Sequence, residues 1–173
     1  MAIKGSGYVK TSWAFEERPV TSAKLNSWDD RIEAALELVH FMLSLAWGGG
    51  NGVVRGAAAN DLKVLANSPA SMSVIVQPGY AFISKFVYKL AAATQTADIV
   101  APVTNPRRDL VQARLETWDI SIKTGTEAAS PTLPSPDTNA IALAELYLRP
   151  GMTSIKNTDD ATNGYIIDKR TFV

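Results

Sequence analysis

An uninterrupted heptad repeat constrains the fold of this chain more than any other feature of its sequence. Charged side chains avoid the repeat, as they do in an amphipathic α-helix with one apolar stripe. Thr21 or Ser22 can cap the first turn, and the glycine-rich run 48–52 ends the helix. The sequence therefore predicts a helix over residues 21–47. Its apolar positions, spaced by three and four residues in alternation, are Leu25, Trp28, Ile32, Ala35, Val39, Met42 and Ala46.

The role of the helix depends on which surface packs against this apolar stripe. The stripe widens after Leu36, so it needs more cover than one partner helix supplies. That cover is either the protein's own sheet or the same helix of neighbouring subunits. A terminal helix set off by flexible glycines would leave a large apolar patch in water without such neighbours. We therefore favour a self-associated bundle, with the seven heptad residues as its oligomer interface.

Residues 1–20 precede the helix and show no helical period. Their glycine and proline residues favour an extended arm. Each aromatic side chain of the arm can bury roughly 150–250 Å², but the arm has too few apolar residues to form a core of its own. We therefore predict that Tyr8, Trp13 and Phe15 dock on another surface, either a neighbouring subunit or another protein.

Beyond the glycine-rich run, which we interpret as a hinge over 48–52, residues 53–173 contain many short stretches of apolar and polar alternation. Such alternation is typical of half-buried strands. Pro78-Gly79 and Pro150-Gly151 fit the central positions of type II turns, and the proline-rich segment 128–136 fits an extended loop. Residues 141–148 are apolar on both faces except for Glu145, which allows a central strand or a short helix. The predicted strands cover 72–76, 80–83, 111–115, 118–122 and 165–167.

These elements together predict an α+β fold that is mostly β. It consists of an N-terminal arm over 1–20, an oligomerisation helix over 21–47, the hinge over 48–52 and a domain over 53–173. Many short strands with turn signals between them are typical of an antiparallel β-sandwich or a small barrel.

The composition excludes several classes of function. The chain has 17 basic and 17 acidic residues, so a net charge of zero gives it no general attraction for nucleic acid. It has no cysteine, which rules out disulfides and thiolate metal sites. The N-terminus has no apolar core of a secretion signal. The most apolar stretch, 34–47, contains Glu37 and His40 and is too short to cross a bilayer, so we expect no membrane insertion.

Catalytic motifs are weak throughout the sequence. His40 is the one histidine, and it lies in the predicted helix, where a polar surface or interface role fits better than catalysis. The run 48–52 follows a helix, whereas a phosphate-binding loop must precede one. Asp159, Asp160 and Asp168 could approach one calcium ion, but their spacing matches no EF-hand loop, and solvated turns explain them more simply. We expect no enzyme, no cofactor and no metal site.

Aromatic side chains offer the remaining candidate chemistry, because they can stack on sugar rings. Trp28 lies on the heptad stripe, and Trp118 falls on the inward face of a predicted strand. Packing in the core or at an interface is therefore the favoured interpretation for the set. Its members are Trp13, Trp28, Trp47, Trp118, Tyr80, Tyr88 and Tyr147.

Four motifs follow one another along the chain. The first is VTSAKLN, at the start of the predicted helix, and the second is VIVQPGYAFI, over 74–83. PRRDLVQARL follows over 106–115, and IALAELYLRPG over 141–151 follows a proline-rich loop. Together they span roughly residues 18–170 and resemble tailed-bacteriophage proteins of the baseplate and of tail-fibre attachment, in the shoulder-like N-terminal domain of receptor-binding and upper baseplate proteins.

This resemblance implies a virion structural protein of the tail tip or baseplate, assembled in the host cytoplasm. It implies a homotrimer that contacts other tail, baseplate or fibre proteins and anchors fibres or receptor-binding proteins for host attachment. It implies no catalytic residues. The alternatives are a carbohydrate-binding module that recognises a saccharide on the host surface, and a head fibre or decoration protein.

Overall fold

The structure is a computed structural model that describes residues 21–46, 50–56 and 59–173, without the side chains of residues 40, 41 and 43–46. The chain divides into two units, 1–49 and 50–173. The predicted arm, with Tyr8, Trp13 and Phe15, lies outside the described residues, and so does Trp47.

In the first unit, helix α1 spans Ser22–Ala46, within the predicted range 21–47. Thr21 caps it, because its Oγ1 accepts a hydrogen bond from the Lys24 backbone N–H at 3.3 Å. The Thr21 carbonyl also accepts hydrogen bonds from the N–H groups of Lys24 and Leu25, each at 3.1 Å. Among the described residues no helix is long and apolar enough to span a membrane.

The second unit is built from short strands in three sheets. A three-stranded sheet has the order β1-β4-β5, another has the order β2-β3-β6, and a five-stranded sheet has the order β10-β11-β9-β7-β8. All pairs are antiparallel except the parallel pair β10 and β11. The strands are β1 Gly52–Val53, β2 Val64–Ala66, β3 Val74–Val76, β4 Gly79–Ile83, β5 Phe86–Leu90, β6 Thr94–Gln95, β7 Arg107–Arg114, β8 Asp119–Lys123, β9 Ala140–Leu148, β10 Ile155–Lys156 and β11 Gly164–Asp168.

The five-stranded sheet is organised around β9, which settles the choice between strand and helix for residues 141–148. β9 pairs with β7 on one side and β11 on the other, so it lies at the centre of the sheet. The register of this pair shifts between Val111 and Gln112 of β7, where Leu143 of β9 is the extra residue of a bulge. Most side chains of β9 are buried on both faces, in agreement with a sequence that is apolar on both.

Apolar side chains from all three sheets form one core. Burial of this apolar surface is the main stabilising contribution in the unit. The mostly β architecture is confirmed, and its three sheets are compatible with the predicted β-sandwich. The largest fully buried apolar side chains are Tyr88, Leu62, Ile83, Leu110, Leu143, Leu146, Leu148, Ile155, Val53 and Val74.

The two predicted type II turns have different outcomes. Gly151 has φ +72°, and the Met152 N–H donates to the Arg149 carbonyl at 3.3 Å, so the turn at Pro150-Gly151 is confirmed. The prediction of a turn at Pro78-Gly79 is wrong, because β3 and β4 belong to different sheets and Gly79 begins β4. A Cβ on Gly79 would lie 2.7 Å from the Leu62 nitrogen, so close packing of two chain segments accounts for this glycine.

The end of the glycine-rich run is also more than a hinge. Gly52 is buried in β1 and pairs with Phe82 of β4. A Cβ at Gly52 would lie 2.7 Å from the Thr171 carbonyl oxygen, because the C-terminal segment runs alongside β1. The second unit therefore begins at Gly50, three residues before the predicted start of the β domain.

Candidate assembly interface

The apolar face of α1 carries a row of exposed apolar side chains among the described residues of the first unit. Leu25, Trp28, Ile32, Val39 and Met42 are between 37 % and 60 % exposed in the single chain. Ala35 is half-buried, and Ala46 ends the helix in the part without described side chains. The structure thus places six of the seven predicted interface side chains along one helix. Aliphatic and indole groups aligned in this way are suited to packing against copies of the same helix.

Leu36 widens this face, as the sequence predicts for the second half of the helix. Its side chain is 64 % exposed, more than any of the five large heptad side chains between Leu25 and Met42. The other side of the helix is acidic, because Asp30, Glu33 and Glu37 are exposed there, and Asp29 is exposed at the margin of the apolar stripe. An apolar face opposite an acidic one directs association to the apolar face and keeps the rest of the helix hydrated.

Charged groups in the β unit form internal pairs. Asp109, which is 1 % exposed, accepts bonds from Arg107 Nε and Nη2 at 2.8 and 2.9 Å and from the Gly125 N–H at 2.9 Å. Glu145, also 1 % exposed, lies 2.9 Å from Arg108 and 3.1 Å from Lys169. A buried carboxylate requires such partners. Neighbouring cations therefore compensate the burial of both carboxylates in the sheet.

The aspartates considered for calcium are held in separate contacts. Asp159 pairs with Arg149 at 2.9 Å, and Asp168 pairs with Arg170 at 2.6 Å. Asp160 accepts bonds from the backbone of Asn163 at 2.7 Å and of Thr162 at 3.0 Å, and these bonds hold its pKa well below the usual range. Within the described ranges, no cluster of three acidic or histidine side chains is arranged to hold a metal ion.

An open groove of about 550 Å³ lies beside the edge strand β8. It is lined by Ile120 and Ile122 of that strand, by the segment 95–100 and by the paired side chains of Arg107 and Asp109. This guanidinium and carboxylate already bond to each other, and the remaining charged group of the lining is Asp98. The groove does not change the choice of α1 as the candidate interface.

The prediction for Trp118 is wrong. The residue is not on the inward face of a strand but ends the turn 115–118 that joins β7 to β8, and its side chain is 57 % exposed. Tyr88, in contrast, is fully buried, and Tyr147 is half-buried against Tyr165. Sequence alone missed this position because the turn contains no glycine, proline or asparagine to mark it.

No protein-family model matches the chain, and no curated protein and no solved structure is significantly similar to it. The interface on α1 and the contacts of the β unit are therefore the basis for a proposal about function.

Proposed function

We propose that this protein is a non-enzymatic structural protein of a tailed-phage virion, a trimeric adaptor of the tail tip or baseplate. The exposed apolar face of α1 is the observation that carries the proposal. Five large heptad side chains and Leu36 lie exposed in the single chain. A stripe of this width is better covered by two neighbouring helices than by one, which favours a parallel trimer over a dimer.

The position of the tail adaptor in the virion is supported by the ordered motifs between residues 18 and 170. In this proposal the arm, residues 1–20, docks the trimer to a neighbouring tail protein through Tyr8, Trp13 and Phe15. The β unit faces outward and anchors fibres or receptor-binding proteins. Asp109 is paired with Arg107, and Glu145 with Arg108. These ion pairs are consistent with a role that needs no catalysis.

The oligomeric state of two variants tests the interface. Ile32→Asp places a carboxylate in the apolar stripe and costs a few kcal/mol per subunit if that stripe is buried. Ala34→Asp is the matched control, because it introduces the same residue two positions away at an exposed site outside the heptad positions. We expect light scattering to give a trimer for the parent and for Ala34→Asp, and a monomer for Ile32→Asp.

Two outcomes count against this proposal. A monomeric parent protein would remove the assembly role altogether. An Ile32→Asp variant with the same mass as the parent would show that another surface holds the subunits together. Antibody labelling of virions distinguishes the tail adaptor from a head fibre or decoration protein, because label on the capsid would favour the latter.

A further inference from the structure

The backbone at Trp118 has an unusual conformation for a large aromatic residue. Its φ is +51°, in the left-handed region that glycine and asparagine occupy far more readily. The Trp118 N–H donates to the Leu115 carbonyl at 3.4 Å and closes the turn between β7 and β8. Residues held in this way persist only when their surroundings enforce them, and they concentrate at binding and catalytic sites.

Contacts on one side hold the indole ring in place. The ring stacks on buried Tyr88, with centroids 5.9 Å apart and planes inclined by 17°. Asp119, the next residue, accepts bonds from Arg114 Nε and Nη2 at 2.9 and 2.6 Å and from Thr117 Oγ1 at 2.6 Å. One face of the ring is thus supported by the protein, while more than half of the side chain stays in water.

Polar groups from two other segments of the chain bond to each other and to this turn. Ser84 Oγ donates to Asn139 Oδ1 at 2.7 Å, and Asn139 Nδ2 donates to Glu116 Oε1 at 3.3 Å. The Asn139 carbonyl also accepts a bond from the Leu115 N–H at 3.0 Å. Ser84 and Asn139 are themselves left-handed, with φ +52° and +54°. Ser84 and Asn139, both left-handed, are therefore linked by hydrogen bonds to the turn that carries Trp118.

We propose that the turn 115–118 is a saccharide-binding site in which a pyranose ring stacks on the outer face of Trp118. An exposed indole supplies a flat apolar surface for the C–H face of a sugar. Glu116 and Asn139 bond to each other through single contacts, and a carboxylate can accept further bonds, here from sugar hydroxyls. This site is independent of α1 and of the assembly proposed above.

The surroundings favour a saccharide over a protein partner. Aromatic anchors of protein interfaces lie inside apolar patches from which water is excluded. Around Trp118 the neighbouring turn residues Glu116 and Thr117 are polar and exposed. An exposed aromatic surface with polar turn residues beside it fits a ligand that is itself flat on one face and covered with hydroxyls.

Saturation-transfer NMR on the full chain tests this site with methyl glycosides of a hexose, a 6-deoxyhexose and an N-acetylhexosamine. We expect transfer to the ring C–H protons of at least one glycoside. Trp118→Asn removes the ring, and asparagine suits the left-handed backbone. This variant should weaken binding about tenfold or more, since a stacked ring contributes on the order of tenfold in affinity. Trp118→Phe should retain binding. Tyr80→Ala is the matched control, because Tyr80 is a similarly exposed aromatic residue on another sheet.

The site is excluded if none of the three glycosides receives saturation, or if transfer persists unchanged in Trp118→Asn. If no glycoside responds and a cross-linker at residue 117 captures a protein, the ligand of this site is a protein and the saccharide proposal is wrong. If Trp118→Asn fails to fold, Glu116→Gln decides the question. It retains the turn and should weaken glycoside binding, and unchanged binding in that variant would count against the site.

Discussion

At the scale of single residues, Tyr88 combines complete burial with an unpaired hydroxyl. Its side chain is 0 % exposed, and its Oη has no hydrogen-bond partner within the described parts of the chain. Burial raises the pKa of Tyr88 to about 12, and the negative charge of Asp119 adds to this effect. A buried hydroxyl without a partner retains the full cost of its removal from water.

We expect Tyr88→Phe to raise the free energy of unfolding at pH 7 by about 1 kcal/mol, because it removes that cost. In the parent, the phenol keeps its proton more tightly when folded than when unfolded. The stabilisation from this difference is complete below pH 10 and is lost as the pH rises from 10 towards 12. Urea denaturation at pH 7 measures the gain in the free energy of unfolding. Repeated between pH 10 and 12, it should show that the variant lacks the fall in the free energy of unfolding that Tyr88 causes in the parent. A less stable variant at pH 7 would reveal a partner for the hydroxyl, and Tyr80→Phe is the exposed control.

At the scale of elements, Asp137 attaches the end of the proline-rich loop to two strands. Its carboxylate accepts bonds from Gln112 Nε2 of β7 at 2.5 Å and from Lys123 Nζ of β8 at 2.6 Å. Its N–H donates to Gln112 Oε1 at 2.9 Å. The bond from Lys123, followed by that from Gln112, lowers the pKa of Asp137. Gln112 is 1 % exposed, so the loop covers a strand residue that requires polar partners.

We expect Asp137→Ala to accelerate hydrogen exchange at the residue 137 amide at pH 7, because the loop end is then held by one bond instead of three. In the parent, the attachment is fully present above the unfolded pKa of about 4 and is lost as the pH falls through the lower folded value. After correction for the intrinsic exchange rate, the exchange rate of this amide should therefore change less on acidification in the variant than in the parent. Ser135→Ala, in the same loop, is the control, and equal protection in parent and Asp137→Ala would contradict this role.

At the scale of the whole molecule, the two units have separate tasks in the proposed assembly. Residues 50–173 have a core that draws on all three sheets, with fully buried side chains such as Val53, Leu62 and Leu146. Helix α1 lies in the other unit and carries the exposed heptad face. The first unit can therefore supply association while the second supplies an independently stable domain.

We expect the isolated fragment 50–173 to fold cooperatively and to be monomeric, because it lacks the heptad face. Sedimentation should give the mass of one fragment, while the full chain gives three times its own. Thermal unfolding followed by near-ultraviolet circular dichroism should show one transition for the fragment. A trimeric fragment would place the oligomer interface in the β unit, and an unfolded fragment would make residues before Gly50 part of that unit's core.

Short-range patterns account for what the sequence predicts well. The spacing of three and four residues, with Thr21 before it, places a helix within 21–47, where α1 is found. Alternation over 111–115 and the short apolar run 165–167 indicate β7 and β11, both of which begin before these stretches. Gly151 marks its turn because a left-handed backbone position strongly favours glycine. In each case the cause lies within a few residues of its effect.

Contacts between distant segments decided the rest. Period-2 alternation indicates that a strand has two faces but not which strand pairs with it, so the assignment of β3 and β4 to different sheets could not be inferred from Pro78-Gly79. Burial of Glu145 depends on Arg108 and Lys169, which lie far from it in the sequence. The sequence by itself therefore determined the helix, its apolar stripe and the strand-rich character of residues 53–173. Only the tertiary structure decided the sheet order and the exposure of Trp118, because both depend on packing between segments that are remote along the chain.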